Sequence, residues 1–487
     1  MRRAAGLKAA LMVAPLLLGG CWTGLPDWAS WGEGPVGPDY VAPEQPDIPA
    51  SYAAPRPDFL AGEAVEAGRW WTRFQDPLLD RLVARGLAEN PDVLTADSRV
   101  REARALLRGA RAAKRPTLDA EAEAGIEGRR AYADAERDEE RALGGAFGLA
   151  AVFDWSLDLF GGMEREIQAA EADLRLIEAE RRDAALGVAA EIARTYADLR
   201  GAQTRLALAD ESLALQRRSL QLVQGRVDSG LASDLDMARA EAELAALEAD
   251  RAPIRTEIQR AAAALAVLTG SPPGALPDAV REAGAPPQIS GGPPIGAPLD
   301  LLRQRPDLVA AEEALIRATA EIGVAEAELY PKFSLPGRIG LDLSDVFTGE
   351  MVTAIVGSLF LAIDAPLFDG GAQEAEVEAA TERAEQALLA YRATLLGALQ
   401  EVEGALEGYA GAARRVQSLE QAVTANRLAF TRAEQRYTQG LASFLDVLEA
   451  QRSLTDRRFD LADARTDLAR EAIALYQAAG LAPAPDA

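Results

Sequence analysis

The chain has 487 residues and a formal net charge of −25, from 76 acidic and 51 basic side chains, with no histidine and a single cysteine. This acidity argues against a nucleic-acid partner, which would need a basic surface. Without histidine and with one cysteine, zinc and haem sites, disulfides and imidazole-based catalytic triads lack their usual ligands or bases, so we expect no enzyme, no metal site and no cofactor.

Residues 1–20 have the pattern of a secretory signal peptide, which implies export. Basic residues at the start precede an apolar run at 9–18 that is too short to span a membrane as a helix. The run ends in Leu-Gly-Gly before Cys21, which resembles a lipobox, so the mature chain would begin at Cys21 and carry covalent lipid there; a chance cysteine near a cleavage site is the alternative. Trp22 follows, where an aspartate typically favours retention in the inner membrane, so we expect the outer membrane.

Residues 21–69 are rich in proline and glycine without periodicity, which predicts an extended, lipid-anchored tether. Two repeats follow at 70–270 and 300–479, separated by a proline- and glycine-rich linker at 271–299 and followed by a short tail at 480–487. Each repeat is predicted to contain a helix, two strands, a long helix and a return helix, so the chain is a duplication.

The first helix of each repeat opens with proline, which fits the first turn of a helix because its missing N–H is not needed there. In the first repeat this helix runs from Pro91 to about Lys114, and in the second from Pro306 to about Leu329.

Two segments in each repeat then alternate apolar and polar residues, the period-two pattern of a strand with opposed faces. They lie at about 117–130 and 147–159 in the first repeat, and at about 332–344 and 353–367 in the second. The polar faces of the first pair carry Asp119, Glu121, Glu123, Asp154 and Asp158. If these faces line a channel, their negative charge favours cations there.

A small soluble sheet is the alternative for these strands, but no spare apolar helix face or second sheet is present to cover them. Roughly ten residues is the length of a tilted strand that crosses a bilayer. Four strands cannot close a barrel, and an open edge is not tolerated in lipid, so several chains must contribute.

Long helices at 163–229 and 371–439 follow the strands and reach roughly 100 Å each. The second has apolar residues at a strict spacing of seven, which predicts left-handed supercoiling against partner helices: Leu388, Leu395, Val402, Tyr409, Val416, Val423, Phe430 and Tyr437. The last six of these positions have counterparts 210 residues earlier: Ile192, Leu199, Leu206, Leu213, Leu220 and Val227.

Both long helices end in similar segments, with Gly230 and Gly440 where a helix needs a left-handed residue. Ser233 and Ser443 then cap return helices at 233–268 and 443–479. The first return helix is interrupted by arginine and proline at 251 and 253. Its length plus that of the helix at 91–114 matches one long helix, so we expect the two to stack end to end.

These features resemble the TolC family of outer-membrane channels, and within it the lipid-anchored efflux factors of the OprM and NodT type. The resemblance covers nearly the whole mature chain and rests on several short motifs in a duplicated frame: Gly37-Pro38-Asp39-Tyr40, Trp70-Trp71, Asp158-Leu159-Phe160-Gly161, Tyr330-Pro331, Pro366-Leu367-Phe368-Asp369-Gly370-Gly371 and the two tip segments.

The resemblance implies a mainly α fold with a β-barrel part: a homotrimer with a twelve-stranded transmembrane barrel in the outer-membrane lipid and a periplasmic coiled-coil tunnel of twelve helices. It further implies a passive exit duct, served by a periplasmic adaptor protein and an inner-membrane pump of the RND type. The alternatives are an exit duct for type I protein secretion and, in a different class, a structural coiled-coil lipoprotein.

The resemblance also assigns roles to residues near the two turns, which we call the tips. Adaptor contact would fall on Gly230, Leu231, Ala232 and Ser233, and on Gly440, Leu441, Ala442 and Ser443. A carboxylate ring constricting the tunnel would fall on Asp446 and Glu449, and a latch on Tyr437 and Asp236. Ala442 stands where the best-studied member has an arginine. The alternatives are that the two aspartates are ordinary first-turn acids, favoured by the helix dipole, and that Tyr437 only packs in the core.

Overall fold

The computed structural model of the protein describes residues 34–43, 68–131, 140–289, 304–344 and 352–483. The predicted signal peptide, Cys21, most of the tether, part of the linker and the end of the tail lie outside these residues. Two expectations, lipidation and the signal peptide, therefore concern residues that are not described.

The described helices follow the predicted order in both repeats. They are a 3₁₀ helix (Trp70–Phe74), α1 (Pro77–Glu89), α2 (Pro91–Ala113), α3 (Gly162–Asp228), α4 (Asp234–Ala249), α5 (Arg251–Leu268), α6 (Asp278–Arg281), α7 (Pro306–Ala327), α8 (Ala372–Thr438) and α9 (Phe444–Ala478). The two long helices, α3 and α8, have 67 residues each. In the described part of the chain, no helix is both long and apolar enough to cross a membrane.

The described strands are β1 (Thr117–Ala131), β2 (Glu140–Asp154), β3 (Ser156–Leu157), β4 (Lys332–Ser334), β5 (Gly337–Ser344), β6 (Val352–Leu359) and β7 (Ala362–Asp364). They form an antiparallel sheet in the order β1-β2-β5-β6 and a smaller sheet in the order β3-β4-β7. Three predicted strands are thus each divided in two. Pro336 has no N–H for the ladder and lies at one of the breaks, between β4 and β5.

Below the strands, the long elements form a row in the order α2-α3-α7-α8. This order matches that of the larger sheet, because α2 precedes β1, α3 follows β2, α7 precedes β5 and α8 follows β6. The outer members of the row are α2 and α8, just as β1 and β6 are the outer strands of the sheet. The sheet and the helical row therefore have their unpaired outer elements on the same two sides.

The end-to-end stacking predicted for the first repeat is present, and the second repeat contains a corresponding joint. The side chain of Asn90, before α2, donates from Nδ2 to the carbonyl of Leu268 at the end of α5, at 2.9 Å. Arg305, before α7, donates to the carbonyl of Ala478 at the end of α9, at 2.7 Å. Each joint places the positive start of one helix at the negative end of another, which is favourable.

The first return helix differs from the prediction, because it is two helices, α4 and α5, that meet at Asp250. Pro253 lies in the first turn of α5, where its missing N–H costs no helical hydrogen bond. Breaking the helix at Asp250 is how the chain accommodates this proline.

The N-terminal segment 34–40 is bound by one buried arginine at the start of α3. Arg165 donates to the carbonyls of Val36 and Gly37, each at 2.9 Å, and to Asp39 at 2.9 Å. Gly37 has a φ of +88°, and a Cβ there would lie 2.4 Å from the Cα of Gly323 on α7. The segment thus ties α3 to α7 immediately below the strands.

A core that contains several aromatic side chains lies at the same height as the helix joints at Asn90 and Arg305. Trp70 is fully buried and stacks on Tyr476 of α9, with ring centroids 5.2 Å apart. The hydroxyl of Tyr196 on α3 donates to Asp76 at 2.6 Å and accepts from the buried Arg200 at 2.9 Å. The short N-terminal helices are therefore fastened to the middle of both long hairpins.

Candidate functional site

The larger sheet has one continuous apolar face. Residues directly opposite in the ladder share a face, so the register alone defines it. This face carries Leu118, Ala120, Ala122, Ala124 and Ile126 of β1; Phe147, Leu149, Ala151 and Phe153 of β2; Ile339, Leu341 and Leu343 of β5; and Ile355 and Leu359 of β6. Ile126 and Ile355 are 78% and 81% exposed, so the chain itself does not cover this face.

The opposite face of the sheet carries mostly polar or small side chains, together with Val152 and Val356. Asp119, Glu121, Glu123 and Asp154 lie on it, in register with Arg338 and Asp342 of β5 and with glycine and alanine positions of the inner strands. A sheet with one apolar and one acidic face suits a wall between hydrocarbon and water.

The prediction for Asp158 is wrong, because this residue follows β3 and does not lie on a strand face. Its carboxylate accepts from the backbone N–H groups of Met163 and Glu164, at 3.1 and 2.9 Å, and pairs with Lys114 at 3.3 Å. The first N–H groups of a helix have no intrahelical partner, and Asp158 satisfies two of those of α3. Period-two alternation alone could not distinguish this role.

Each long helix ends in a Schellman motif, which produces the tip. The N–H of Gly230 donates to the carbonyl of Val227 at 2.8 Å, and that of Leu231 donates to Arg226 at 2.7 Å. The second tip repeats this arrangement, with donors Gly440 and Leu441 and acceptors Tyr437 and Arg436, at 2.9 and 2.8 Å. Positive φ values of +71° and +74° at the two glycines explain why glycine is used there.

The tips expose leucines to solvent. Leu231 and Leu441 are 68% and 63% exposed, and Ala232 and Ala442 are half-buried beside them. Leu235 and Leu445, in the first turn of the return helices, are also exposed. Each tip therefore presents a small apolar surface held in a fixed backbone shape.

Both return helices begin with a capping box. The hydroxyl of Ser233 and the carboxylate of Asp236 exchange hydrogen bonds with each other's backbone at the start of α4, and Ser443 and Asp446 do the same at the start of α9. Hydrogen bonds from the Ser443 hydroxyl and N–H hold the pKa of the Asp446 carboxyl below its usual value. Both aspartates therefore lie in the first turn of a return helix and cap it, which is compatible with the alternative of ordinary first-turn acids and with the gate and latch roles alike.

The two tips differ one turn further along. Asp236 lies 3.8 Å from Arg239, whereas the corresponding pair on α9 is Asp446 and Glu449, which are both acidic and both exposed. The pairing of an aspartate with an arginine three residues later is therefore present at the start of α4 and absent from the corresponding positions of α9. The second tip keeps two carboxylates on one helical face.

The predicted latch between Tyr437 and Asp236 is not formed as a hydrogen bond. Among the described residues, the buried hydroxyl of Tyr437 has no hydrogen-bond partner, and the Asp236 carboxylate is occupied by Ser233. Burial raises the pKa of the Tyr437 phenol, with nearby Arg226 opposing that rise and Asp236 adding to it. Asp236 is close enough to act by charge but does not bind the ring.

Arg226 joins the two tips instead. It donates from Nη1 to the backbone carbonyl of Tyr437 at 2.9 Å, and its guanidinium carbon lies 4.6 Å from the centroid of the Tyr437 ring. The equivalent arginine of the second tip, Arg436, bonds within its own tip, to the carbonyl of Leu441 at 3.3 Å. Two arginines at corresponding positions of the repeat therefore have different partners.

The interface between the hairpins contains polar contacts at the next turns away from the tips, towards the strands. The side chain of Gln451 on α9 donates to that of Gln216 on α3 at 2.9 Å, and Ser219 donates to Gln451 at 3.2 Å. Arg452 pairs with Glu243 across the same interface. Apolar contacts accompany these polar ones, because one buried cluster contains Val223 of the first hairpin together with Phe430 and Leu448 of the second. The hairpins are therefore held together by both apolar and hydrogen-bonded contacts.

A family model described as outer membrane efflux protein matches residues 82–271 and 297–481. The chain belongs to this family. In the described part of this family member, no group of three or more potential ligand side chains is placed to hold a metal ion.

Curated relatives and a solved structure agree with this assignment. Nodulation protein T of Rhizobium leguminosarum bv. trifolii is 30% identical, over 86% of this chain and 88% of the relative. The pyoverdine export outer membrane protein OpmQ of Pseudomonas putida is 30% identical, over 89% and 91%. The outer-membrane channel OprN superposes with a TM-score of 0.81 at 33% identity, covering 91% of this chain and 98% of OprN. The resemblance to the TolC family and the predicted class of helical hairpins with strands are confirmed.

Sequence reasoning missed Arg226 and Arg165 as functional contacts. Arg226 has a detectable signal, since arginine occupies the same position before both tip glycines. Arg165 has none, because the N-terminal segment that it binds lies more than 120 residues away.

The Arg226 contact makes a specific prediction. Arg226→Met removes a charged hydrogen bond and a cation–π contact, which together contribute about 1–2 kcal/mol to closure of the tip. Hydrogen exchange of the last turn of α8 is then expected to speed up roughly 5–30-fold, because local opening becomes that much more frequent. Tyr437→Phe is expected to change this exchange little, since its hydroxyl forms no bond with the described residues.

The matched control is Arg436→Met, which removes the equivalent arginine from the second tip without breaking a contact between hairpins. An effect of Tyr437→Phe as large as that of Arg226→Met would show that the hydroxyl, and not the arginine, holds the tips together.

Proposed function

We propose that this chain is the outer-membrane subunit of a tripartite efflux pump, a passive exit duct for drugs or other small molecules. The observation that carries the proposal is the sheet with one exposed apolar face and one acidic face, continued by helices about 100 Å long. Membership of the outer membrane efflux protein family supports it. The duct performs no chemistry of its own.

In this proposal three copies close a twelve-stranded barrel and a twelve-helix tunnel, because a single sheet with two free edges cannot stand in lipid. A periplasmic adaptor protein contacts the tips at residues 230–233 and 440–443, and an RND-type inner-membrane pump supplies the energy. The exposed leucines at the tips support the adaptor contact, which cross-linking from cysteines at positions 231 and 441 tests. The name of OpmQ, an exporter of pyoverdine, favours efflux over protein secretion.

The barrel lumen is proposed to be lined by the acidic face of the sheet. Reconstituted channels are then expected to be cation-selective in planar bilayers. Selectivity should fall between 0.1 M and 1 M salt, as the screening length shortens from about 10 Å to about 3 Å. Glu121→Gln with Glu123→Gln is expected to shift the reversal potential towards that of a non-selective pore.

The matched control is Asp278→Asn with Glu282→Gln, which removes the same charge from exposed residues outside the sheet. Anion preference in the unmodified channel would mean that the acidic face does not line the pore.

The constriction of the tunnel is proposed at Asp446 and Glu449. Three copies bring six carboxylates around one axis, and like charges at roughly 6 Å with an effective dielectric near 20 repel by about 3 kcal/mol per pair. Such a ring cannot hold itself closed. Closure must come from helix packing and from contacts such as that of Arg226 with Tyr437.

A trivalent cation added from the periplasmic side is therefore expected to block conductance by occupying the carboxylate ring. Asp446→Asn with Glu449→Gln should relieve the block while preserving the oligomer, since asparagine keeps an acceptor for the cap. Asp236→Asn serves as control, because Arg239 neutralises the first tip. Unchanged block in the double variant would remove these two residues from the constriction.

Lipidation of Cys21 is proposed as the membrane anchor. The segment bound by Arg165 begins 13 residues after Cys21, a span of at most about 45 Å when extended. Since that segment lies against the first turn of α3, immediately below the strands, the cysteine can reach the membrane surface.

Cys21→Ser is expected to abolish lipid attachment yet leave a folded oligomer, because the barrel inserts through its own apolar face. Mass spectrometry of the mature N-terminus measures the attachment, and native electrophoresis measures the oligomer. An unmodified Cys21, or a mature chain beginning elsewhere, would contradict the anchor.

A further inference from the structure

The two open ends of the helical row carry opposite charge. From 99 to 115, along α2, there are seven basic residues and one acidic residue. From 372 to 386, at the start of α8, there are five acidic residues and one basic residue. Such separation is notable in a chain whose net charge is −25.

Two of the basic residues of α2 form ion pairs with α3, the neighbouring helix of the same chain. Arg104 pairs with Glu178 at 2.7 Å and Arg111 with Glu171 at 2.6 Å, both on α3. Three of the other basic residues form a stripe at a spacing of seven, Arg101, Arg108 and Arg115, and Leu94 continues it one heptad further from the strands. All four are exposed, and the three arginines form no ion pair with any described residue.

The acidic stripe lies on the side of α8 that faces away from α7. Its buried face carries Ala380 and Ala384, which pack on α7. Glu378, Glu382 and Glu385 lie on the opposite face, and Leu389 and Leu396 continue it. The three glutamates are exposed and, like the arginines of α2, are unpaired within the described chain.

The two stripes run over the same part of the rods. The arginines extend from just past the end of α2 nearest the strands to a point 12 residues inside the helix. The glutamates lie within the first 13 residues after the start of α8, which is also its end nearest the strands. Each stripe therefore extends about 20 Å from the strands. Both stripes place charge next to the strands and leucine further away. They are therefore complementary in sign, extent and order.

We propose that α2 of one copy packs against α8 of the next copy through these stripes. This inference rests on the proposed trimeric channel and names the surface that assembles it. The row order α2-α3-α7-α8 requires that contact in any closed ring that also pairs β1 of one copy with β6 of the next.

The charges set the direction of assembly more than its strength. Exposed ion pairs contribute little stability individually, but contact of two α2 helices, or of two α8 helices, would place like charges together. Face-to-face dimers through either end are thereby disfavoured. Only the head-to-tail contact brings opposite charges together, and this is the kind of contact that repeats around a ring when the rotation between copies closes.

The test is a charge exchange in the full-length protein, with oligomers separated by native electrophoresis in mild detergent. Arg101→Glu with Arg108→Glu, and separately Glu378→Arg with Glu385→Arg, are each expected to reduce the trimer fraction at least by half. Raising the salt to 1 M should recover much of that loss, because the repulsion is screened. Combining all four substitutions should restore the trimer at low salt.

The control is Arg81→Glu with Arg85→Glu on α1, which changes the net charge equally on a helix outside both stripes and should leave the trimer unchanged. Circular dichroism verifies that each variant keeps its helical content. A trimer that survives both reversals, or that the combined variant fails to restore, would overturn the interface.

A third result would also overturn it. If the α2 reversal leaves the trimer intact but abolishes binding to vesicles containing phosphatidylglycerol, the arginine stripe contacts anionic lipid headgroups instead. A wild-type protein that is monomeric would refute the proposed channel itself, a result distinct from failure of this interface.

Discussion

A β-sheet in hydrocarbon cannot leave the backbone groups of its edge strands unpaired, and this constraint governs the rest of the molecule. The larger sheet has β1 and β6 as its edges, while its apolar face is exposed. One chain therefore cannot satisfy the sheet alone. The helical row beneath ends in α2 and α8, which are adjacent in sequence to these edge strands. An additional chain that pairs with the edge strands therefore also covers the outer helices.

Two kinds of interaction hold the hairpins together. Residues such as Val223, Phe430 and Leu448 bury apolar surface in one cluster that draws on both hairpins, and this contribution is non-directional. The hydrogen bonds of Gln216 with Gln451 and of Arg226 with Tyr437 are directional, because each needs a particular donor and acceptor geometry. The apolar cluster therefore holds the hairpins against each other, and the polar contacts fix how they are aligned.

Sequence reasoning succeeded where the controlling interactions are local. Heptad spacing identified α3 and α8 as long helices, and the Gly230 and Ser233 positions predicted the tip geometry, because caps depend on neighbours in the chain. It failed where periodicity carries no information. The break at Pro336 and the capping role of Asp158 are local but interrupt the period-two pattern, whereas the pairing of Arg226 depends on a residue 211 positions away.

The end-to-end joints at Asn90 and Arg305 give the rods unequal stiffness along their length. The helices α3 and α8 are continuous over 67 residues, whereas the columns beside them are assembled from α5 with α2 and from α9 with α7. A continuous helix bends only gradually, but a joint held by a few hydrogen bonds can change angle locally. A force applied at the tips therefore bends the helices mainly at the height of these joints, where Trp70 stacks on Tyr476 and stabilises the packing.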